Sequence, residues 1–384
     1  MTYAFNVFGI IAGTIVAYFL GVFQSFSWAF TIYPPILSAR GVIGGVFCSR
    51  LSTGLHLGTV QPSFSKNTRG FYLLLQSTIV LTLEASVFIG LIAAALFTWL
   101  KSMSTLEFFR ILIVVMATMA IALVVISPLA TAVSFLSFKH GLNPDIVLYS
   151  VESTVADLLI TLIYVEVLNI FAFNNSAGQY LLLLISLTLV SCTIYSIIRN
   201  YFREAEFAKT IKESLLTIIL VSLIINVAGL AFGRISEIVE KRREVYTVYP
   251  ALIDTIGDVG LVVSSTATTK LALGALKPSF SSIKNHGLEV SSAWVASLIM
   301  YCIYSILSLM IQGIFTPQNF LYFTALLLVA NLIAASCIIL ISYAVAILTY
   351  QRGLDPDNFV IPIESSLADS LTSIALLISL FIVG

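Results

Sequence analysis

The chain has 384 residues, of which 59% are hydrophobic and 10% charged, with a mean hydropathy of +1.04 and a formal net charge of +0. Soluble globular domains carry about 25% charged residues, so this composition excludes a soluble domain and describes an integral membrane protein. A balanced charge offers no electrostatic case for nucleic acid. The partner it implies is the lipid bilayer.

Crossing about 30 Å of hydrocarbon takes roughly 20 helical residues. Apolar stretches of that kind are expected at 4–31, 33–58, 70–100, 107–138, 146–172, 178–198, 214–235, 249–275, 288–315, 320–350 and 358–383. That makes an all-α polytopic membrane protein with eleven spans. A transmembrane barrel would need alternating segments of about ten residues, which this sequence lacks. The first span has no basic leader and is too long for the apolar core of a secretory signal, so it is read as a retained helix. Cys48, Cys192, Cys302 and Cys337 fall singly inside spans, with no metal-ligand or disulfide spacing, and read as small packing residues. Counted by side, the loops give ten basic residues with the N-terminus and six opposite, although "EIVEKRREV" weighs the other way. The positive-inside rule then puts the N-terminus in the cytoplasm and the C-terminus outside, in a multi-pass plasma-membrane protein. Arg50 and Lys270 lie near cytoplasmic span ends, where they can snorkel.

The second span contains a sentence that the chain repeats. Residues 33–65 align without a gap on 249–281 with 14 identities in 33, among them Pro34/Pro250, Gly41/Gly257, Gly44/Gly260, Ser49/Ser265 and Gly58/Gly274. A second pair, "GLNPDIVLYSVESTVADL" from Gly141 and "GLDPDNFVIPIESSLADS" from Gly353, shares 8 of 18. Each half is therefore expected to be a five-span unit: 1–175 first, 214–384 second, with 176–213 supplying an extra span and the helical linker "YFREAEFAKTIKES", read as solvated. Five is odd, so the extra crossing restores orientation and makes the halves parallel, related by a pseudo-two-fold axis along the membrane normal. This 5+1+5 arrangement places the equivalent of a symmetric dimer in one chain, so that one chain is expected to form a complete pore.

The repeated fifth span carries the chemistry. Asn143 and Asp355 fit N-cap positions, Pro144 and Pro356 the first helical position, and Asp145 and Asp357 the first turn, where the helix dipole favours acids. Capping accounts for them, and acids at a pore mouth would also gather cations. Asp157 and Asp369 are harder to explain as structure. Each lies 13 residues past its proline, which at 1.5 Å per residue is about 20 Å into the span. A charge there costs roughly 2.5–3.5 kcal/mol even on the lenient insertion scale. Two such carboxylates converging on an axis repel unless protonated or bridged by a cation. Glu152 and Glu364 form a second symmetric pair, and Ser153, Thr154, Ser365 and Ser366 add hydroxyls. Oxygen-only ligands suit hard divalent cations, Mg²⁺ in particular, as the transported ion and without an organic cofactor. In the second span Gly41, Gly44, Gly45, Gly257 and Gly260 permit either close helix packing or an unwound backbone lining the path. Ser49, Ser52, Thr53 and Ser265 add hydroxyls to the same lining. The second copy adds Asp254 and Asp258, where the first has Ser38 and Val42.

This pattern resembles the membrane domain of MgtE-type magnesium transporters, and especially their two-repeat solute-carrier relatives in animals. The resemblance rests on "P-x6-GN" followed by "SRxST" in the second span and on "DPD…P…SSLxD" in the fifth. Here "CSRLSTGLH" at 48–56 and "DPDNFVIPIESSLAD" at 355–369 carry it, and the order of elements matches over the whole chain. It implies that Asp157 and Asp369 hold the conducted ion near the centre of the pore. Departures bear on selectivity: Gly-Asn becomes Gly257-Asp258 in one half and Gly41-Val42 in the other, and Glu152 and Glu364 replace residues expected to be small. MgtE proper also has soluble domains that sense cytoplasmic Mg²⁺; none is expected here, leaving gating to the membrane helices.

Other acids and amides, Glu84, Glu166, Asn226 and Asn331, have no repeat partners, and Glu84 reads as an interhelical hydrogen bonder or a proton-coupling group. His56, His140 and His286 are scattered, and no HExxH motif suggests a zinc protease. Two alternatives to an ion pore stay open on the residues. One is an intramembrane enzyme using paired carboxylates as acid and base, and the other a proton- or sodium-coupled transporter of another cation.

Overall fold

The computed structural model describes residues 2–101, 104–140, 144–172, 176–352 and 356–383, with the side chains of 2, 4, 101, 144–154 and 356–363 left undescribed. Short helical pieces Thr2–Phe5 and Asn6–Phe8 lead into α1 (Gly9–Tyr18), and a further short piece, Leu20–Gln24, follows it. The remaining helices are α2 (Ala29–His56), α3 (Arg69–Lys101), α4 (Thr105–Lys139), α5 (Pro144–Ala172) and α6 (Ser176–Asn200). They continue as α7 (Ala205–Val239), α8 (Arg243–Ala272), α9 (Gly287–Ile311), α10 (Pro317–Gln351) and α11 (Pro356–Val383). Among the described residues there is no strand.

Among the described residues, nine stretches, falling in α3 to α11, are long and apolar enough to cross a membrane. The chain is an all-helical polytopic membrane protein. The first two expected spans are not among the nine, for physical reasons. The first is broken at Phe19, whose backbone leaves the helical region (φ −92°, ψ 25°), so α1 has only 10 residues. The second, α2, is 28 residues long but is diluted by two prolines, four glycines, and Arg40 and Arg50.

Local signals set the helix ends in the same way in both repeats. The Ser104 side chain caps α4 by accepting from the Glu107 N–H at 3.3 Å, and the Thr316 side chain caps α10 by accepting from the Asn319 N–H at 3.1 Å. Pro144 and Pro356 open α5 and α11 as the sequence predicts. The repeated glycine at the end of the motif turns the chain after α2 and α8: Gly58 has φ +72° and Gly274 φ +69°, the left-handed region that a Cβ disfavours. Pro34 and Pro250, however, do not open their helices. Both lie inside, because α2 starts at Ala29 and α8 at Arg243. The linker also differs from the sequence reading: α7 runs unbroken from Ala205, and within it Phe207 and Ile211 are buried against Val80 of α3 instead of facing solvent.

The chain forms two compact units, Gly21–Asn226 on the one hand and Met1–Leu20 with Val227–Gly384 on the other. In the first, α2 packs on α3, α4 and α5, and α6 lies against α3 and α4. In the second, α8 packs on α9, α10 and α11, and α1 lies along it. The repeated motif thus provides the central helix of each unit. α1 joins α8 through two glycines spaced four apart. A Cβ at Gly9 would come within 2.9 Å of the Ala251 nitrogen, and one at Gly13 within 2.1 Å of the Thr247 carbonyl oxygen. Small residues at this spacing let helix backbones approach closely in a membrane.

Candidate functional site

The duplicated tyrosine that opens the motif ties the central helix to the aspartate helix in both units. Tyr33 of α2 meets Thr161 Oγ1 of α5 at 2.9 Å, and Thr161 in turn donates to the Asp157 carbonyl at 2.6 Å. Tyr249 of α8 meets Ser373 Oγ of α11 at 2.7 Å, and Ser373 donates to the Asp369 carbonyl at 2.7 Å. Since each hydroxyl has one proton and spends it on the carbonyl, the tyrosine O–H is the donor in both pairs. An aromatic shelf from the preceding segment supports each tyrosine: Phe232 stacks on Tyr249 with ring centroids 3.9 Å apart, and Phe23 meets Tyr33 edge-on at 5.8 Å. The two aspartates are each 8% exposed, so both side chains are buried.

Glu364, 4% exposed, sits in a hydroxyl-lined cradle. Ser264 Oγ of α8 donates to its Oε2 at 2.9 Å. Gly260 makes room for the other oxygen, because a Cβ there would stand 2.5 Å from Glu364 Oε1 and 2.8 Å from Ser342 Oγ of α10. Asp258, on the same helix and 7% exposed, accepts from the Asn6 side-chain amide at 2.8 Å. Among the described residues no Lys, Arg or His pairs with either carboxylate, and no three His, Cys, Asp or Glu side chains gather as a metal cage.

The glycines resolve into different roles. α2 and α8 stay helical through Gly41, Gly44, Gly45, Gly257 and Gly260, so the backbone is not unwound there and its carbonyls remain within the helix. Of Gly41, Gly45, Gly257 and Gly260, only Gly260 is tightly packed. A Cβ at Gly41 or Gly45 would meet nothing within 4 Å, and one at Gly257 only Ala368 Cβ at 4.0 Å. Gly44 lines a small cavity with Arg40, Thr78, Thr82 and Ser127 in the first unit. Of the hydroxyls, Ser49, Thr53 and Ser265 are exposed, Ser52 and Ser366 buried, and Ser365 half-buried. Asn143 and Asp355 lie outside the described residues, and the side chains of Asp145, Asp357, Glu152, Ser153 and Thr154 outside the described side chains.

Other sequence readings are sorted by burial. Glu166 faces outward on α5, whereas Asn331 is buried and accepts from the Trp294 indole at 3.2 Å. Glu84 Oε2 is buried with no hydrogen-bond partner among the described residues, so the expected interhelical bond is not seen at that atom. Arg50 donates to Thr210 Oγ1 of α7, and Lys270 pairs with Glu289 at 2.6 Å; both are held by partners at helix ends. Cys48 is buried and Cys192 exposed, so only the former is a packing residue of the core. Sequence reasoning missed Asn6, Gly9 and Gly13. The signal available was the Gly-x3-Gly spacing in the first span, with an amide less than a turn before it.

These features define a class: a multi-pass helical membrane protein built on a duplicated helix set, with a buried carboxylate at the same place in each copy. The family model "MgtE: Divalent cation transporter" matches residues 33–167 and again 249–379, more than half of the chain. The chain belongs to this family of divalent cation transporters. It is similar to solute carrier family 41 member 3 of Mus musculus, 24% identical over 395 residues, covering 97% of this chain and 79% of that protein. It is also similar to the protein of the same name from Rattus norvegicus, 23% identical over 372 residues, covering 91% and 78%. No solved structure matches the chain.

Proposed function

We propose that this chain carries Mg²⁺ across the plasma membrane through a central pore between two parallel five-helix repeats, 1–175 and 214–384, joined by the extra span and linker of 176–213. Asp157 and Asp369 are the paired ligands of the ion. The observation that carries this reading is the twofold recurrence of one arrangement, a buried aspartate one turn before a hydroxyl that a motif tyrosine holds. A single buried carboxylate has many packing explanations. Two at equivalent places in a cation-transporter family are best explained by a shared ion.

Mg²⁺ keeps several of its waters and uses few carboxylates, so two aspartates with surrounding hydroxyls are a sufficient protein contribution. Ser49, Ser52, Thr53, Ser265, Ser365 and Ser366 extend that oxygen lining, Asp258, Glu152 and Glu364 add charge along it, and Asn143, Asp145, Asp355 and Asp357 stand at its cytoplasmic mouth. The N-terminus is cytoplasmic and the C-terminus outside. Uptake of Mg²⁺ by proteoliposomes containing the purified chain, read with an enclosed fluorescent indicator, tests the reading. Flux above protein-free vesicles is expected, and it should be lost in Asp157→Asn and Asp369→Asn. Full flux in both variants would overturn the assignment.

A further inference from the structure

We infer that Asn6 is a positioning residue for Asp258, which makes the segment before α1 a working part of the ion path; this rests on the reading of Asp258 as a carboxylate of that path. The Asn6 amide nitrogen lies 2.8 Å from Asp258 Oδ2 and 3.4 Å from Thr255 Oγ1. Thr255 donates its own proton to the Ala251 carbonyl at 2.8 Å, so it accepts from Tyr304, whose hydroxyl is 2.8 Å away, and from Asn6. Asn6 and Asp258 are each 7% exposed, and Thr255 and Tyr304 are fully buried. Donors thus converge on one face of α8: Asn6 on Asp258 and Thr255, and Tyr304 on Thr255, whose own proton ends on the Ala251 carbonyl.

The kind of partner matters as much as the contact. A lysine or arginine beside Asp258 would cancel its charge. A neutral amide fixes one carboxylate oxygen and leaves the negative charge available to a passing cation. The placement of Asn6 is itself enforced, because Gly9 and Gly13 seat α1 against the α8 backbone too closely for any side chain. The device exists on one side only: the position aligned with Asp258 in the first repeat is Val42. Asn6 and Asp258 therefore make the duplicated path unequal at this level.

Mg²⁺ uptake by proteoliposomes, measured over a range of Mg²⁺ concentrations, tests the inference with Asn6→Leu, which keeps the volume and removes the donor. A hydrogen bond to a charged group contributes about 1.5–3 kcal/mol, so the half-saturating Mg²⁺ concentration should rise about tenfold or more, with a smaller change in maximal rate. Asp258→Asn should shift half-saturation as well, and Asn6→Leu added to it should shift it no further, because Asn6 acts through the carboxylate. Asn6→Gln retains the amide and should recover part of the affinity; it also serves if Asn6→Leu lowers the melting temperature measured without Mg²⁺. Unchanged half-saturation in Asn6→Leu, or shifts that multiply in the double variant, would overturn the positioning role while leaving Asp258 in the path. Unchanged half-saturation in Asp258→Asn would remove Asp258 from the path and the inference with it.

Discussion

Tyr33 and Tyr249 show what one hydroxyl can do inside a membrane. Each is buried to within 1% exposure, and each spends its proton on the side chain one turn past an aspartate. Removing that donor in Tyr249→Phe leaves Ser373 with one acceptor site unfilled, and a net loss of about 1 kcal/mol is expected. Thermal melting in detergent should register it, with Tyr33→Phe giving a similar drop through Thr161; if neither variant melts earlier, the tyrosines are only packed there. The aspartates themselves should respond in transport. Asp369→Asn keeps the shape and removes the charge, so flux should fall about tenfold or more, the factor that about 1.4 kcal/mol of lost ion stabilisation produces. Melting without Mg²⁺ should stay close to that of the parent chain.

At the scale of the helix, the glycines of the motif separate by what stands opposite them. Gly260→Ala drives a Cβ into Glu364, Ser342 and Ile338 at 2.5–2.9 Å, and overpacking of this kind destabilises by about 1–3 kcal/mol. Trimming the neighbour in a Gly260→Ala, Glu364→Ala double variant should return part of the loss. A single variant that melts like the parent would mean that Glu364 can leave its cradle freely. Gly41→Ala and Gly45→Ala meet open space, so alanine's better helix propensity, up to about 1 kcal/mol, should leave melting unchanged or raised. Gly13→Ala is the counterpart for α1. The atoms facing its new Cβ are the Thr247 and Tyr246 carbonyls at 2.1–2.6 Å, and backbone cannot swing aside as a side chain can. The N-terminal helix should detach, seen as faster proteolysis before Leu20.

For the whole molecule, the proposal that one chain is one pore makes two further demands. Cysteines at 157 and 369 in a background lacking Cys48, Cys192, Cys302 and Cys337 should crosslink within a chain, migrating at monomer mass; a crosslink appearing only at dimer mass would assign the pore to two chains. Tags at residue 1 and near Lys209 should be protected from external labelling, while one after Gly384 should be labelled. Finding both ends on the same side would remove a crossing and invert one half. The grouping of α1 with the helices of 227–384 adds a point to this: the short helix that opens the chain does not stay with the helices that follow it.

Much of this protein was legible in its residues, for reasons that are local. Hydropathy marks apolar helices because lipid leaves no other way to satisfy the backbone. Duplication exposed the motif, and caps such as Ser104 and Thr316 and turns such as Gly58 and Gly274 depend on their own few neighbours. The aspartates could be singled out because a charge so far inside a span is rare without a task. The span starts expected at 33 and 249 fall late, because α2 and α8 extend back past Pro34 and Pro250 by more than a turn despite the missing N–H. Which glycine is indispensable was not readable either: Gly257 and Gly260 are both repeated glycines of the motif, and only the presence of Glu364 and Ser342 across from the second separates the two. Nor could the pairing of Asn6 with Asp258, 252 residues apart, be seen along the chain. That contact is decided by where α1 docks, and docking depends on the shapes of two helix faces meeting in space, which no single stretch of sequence contains.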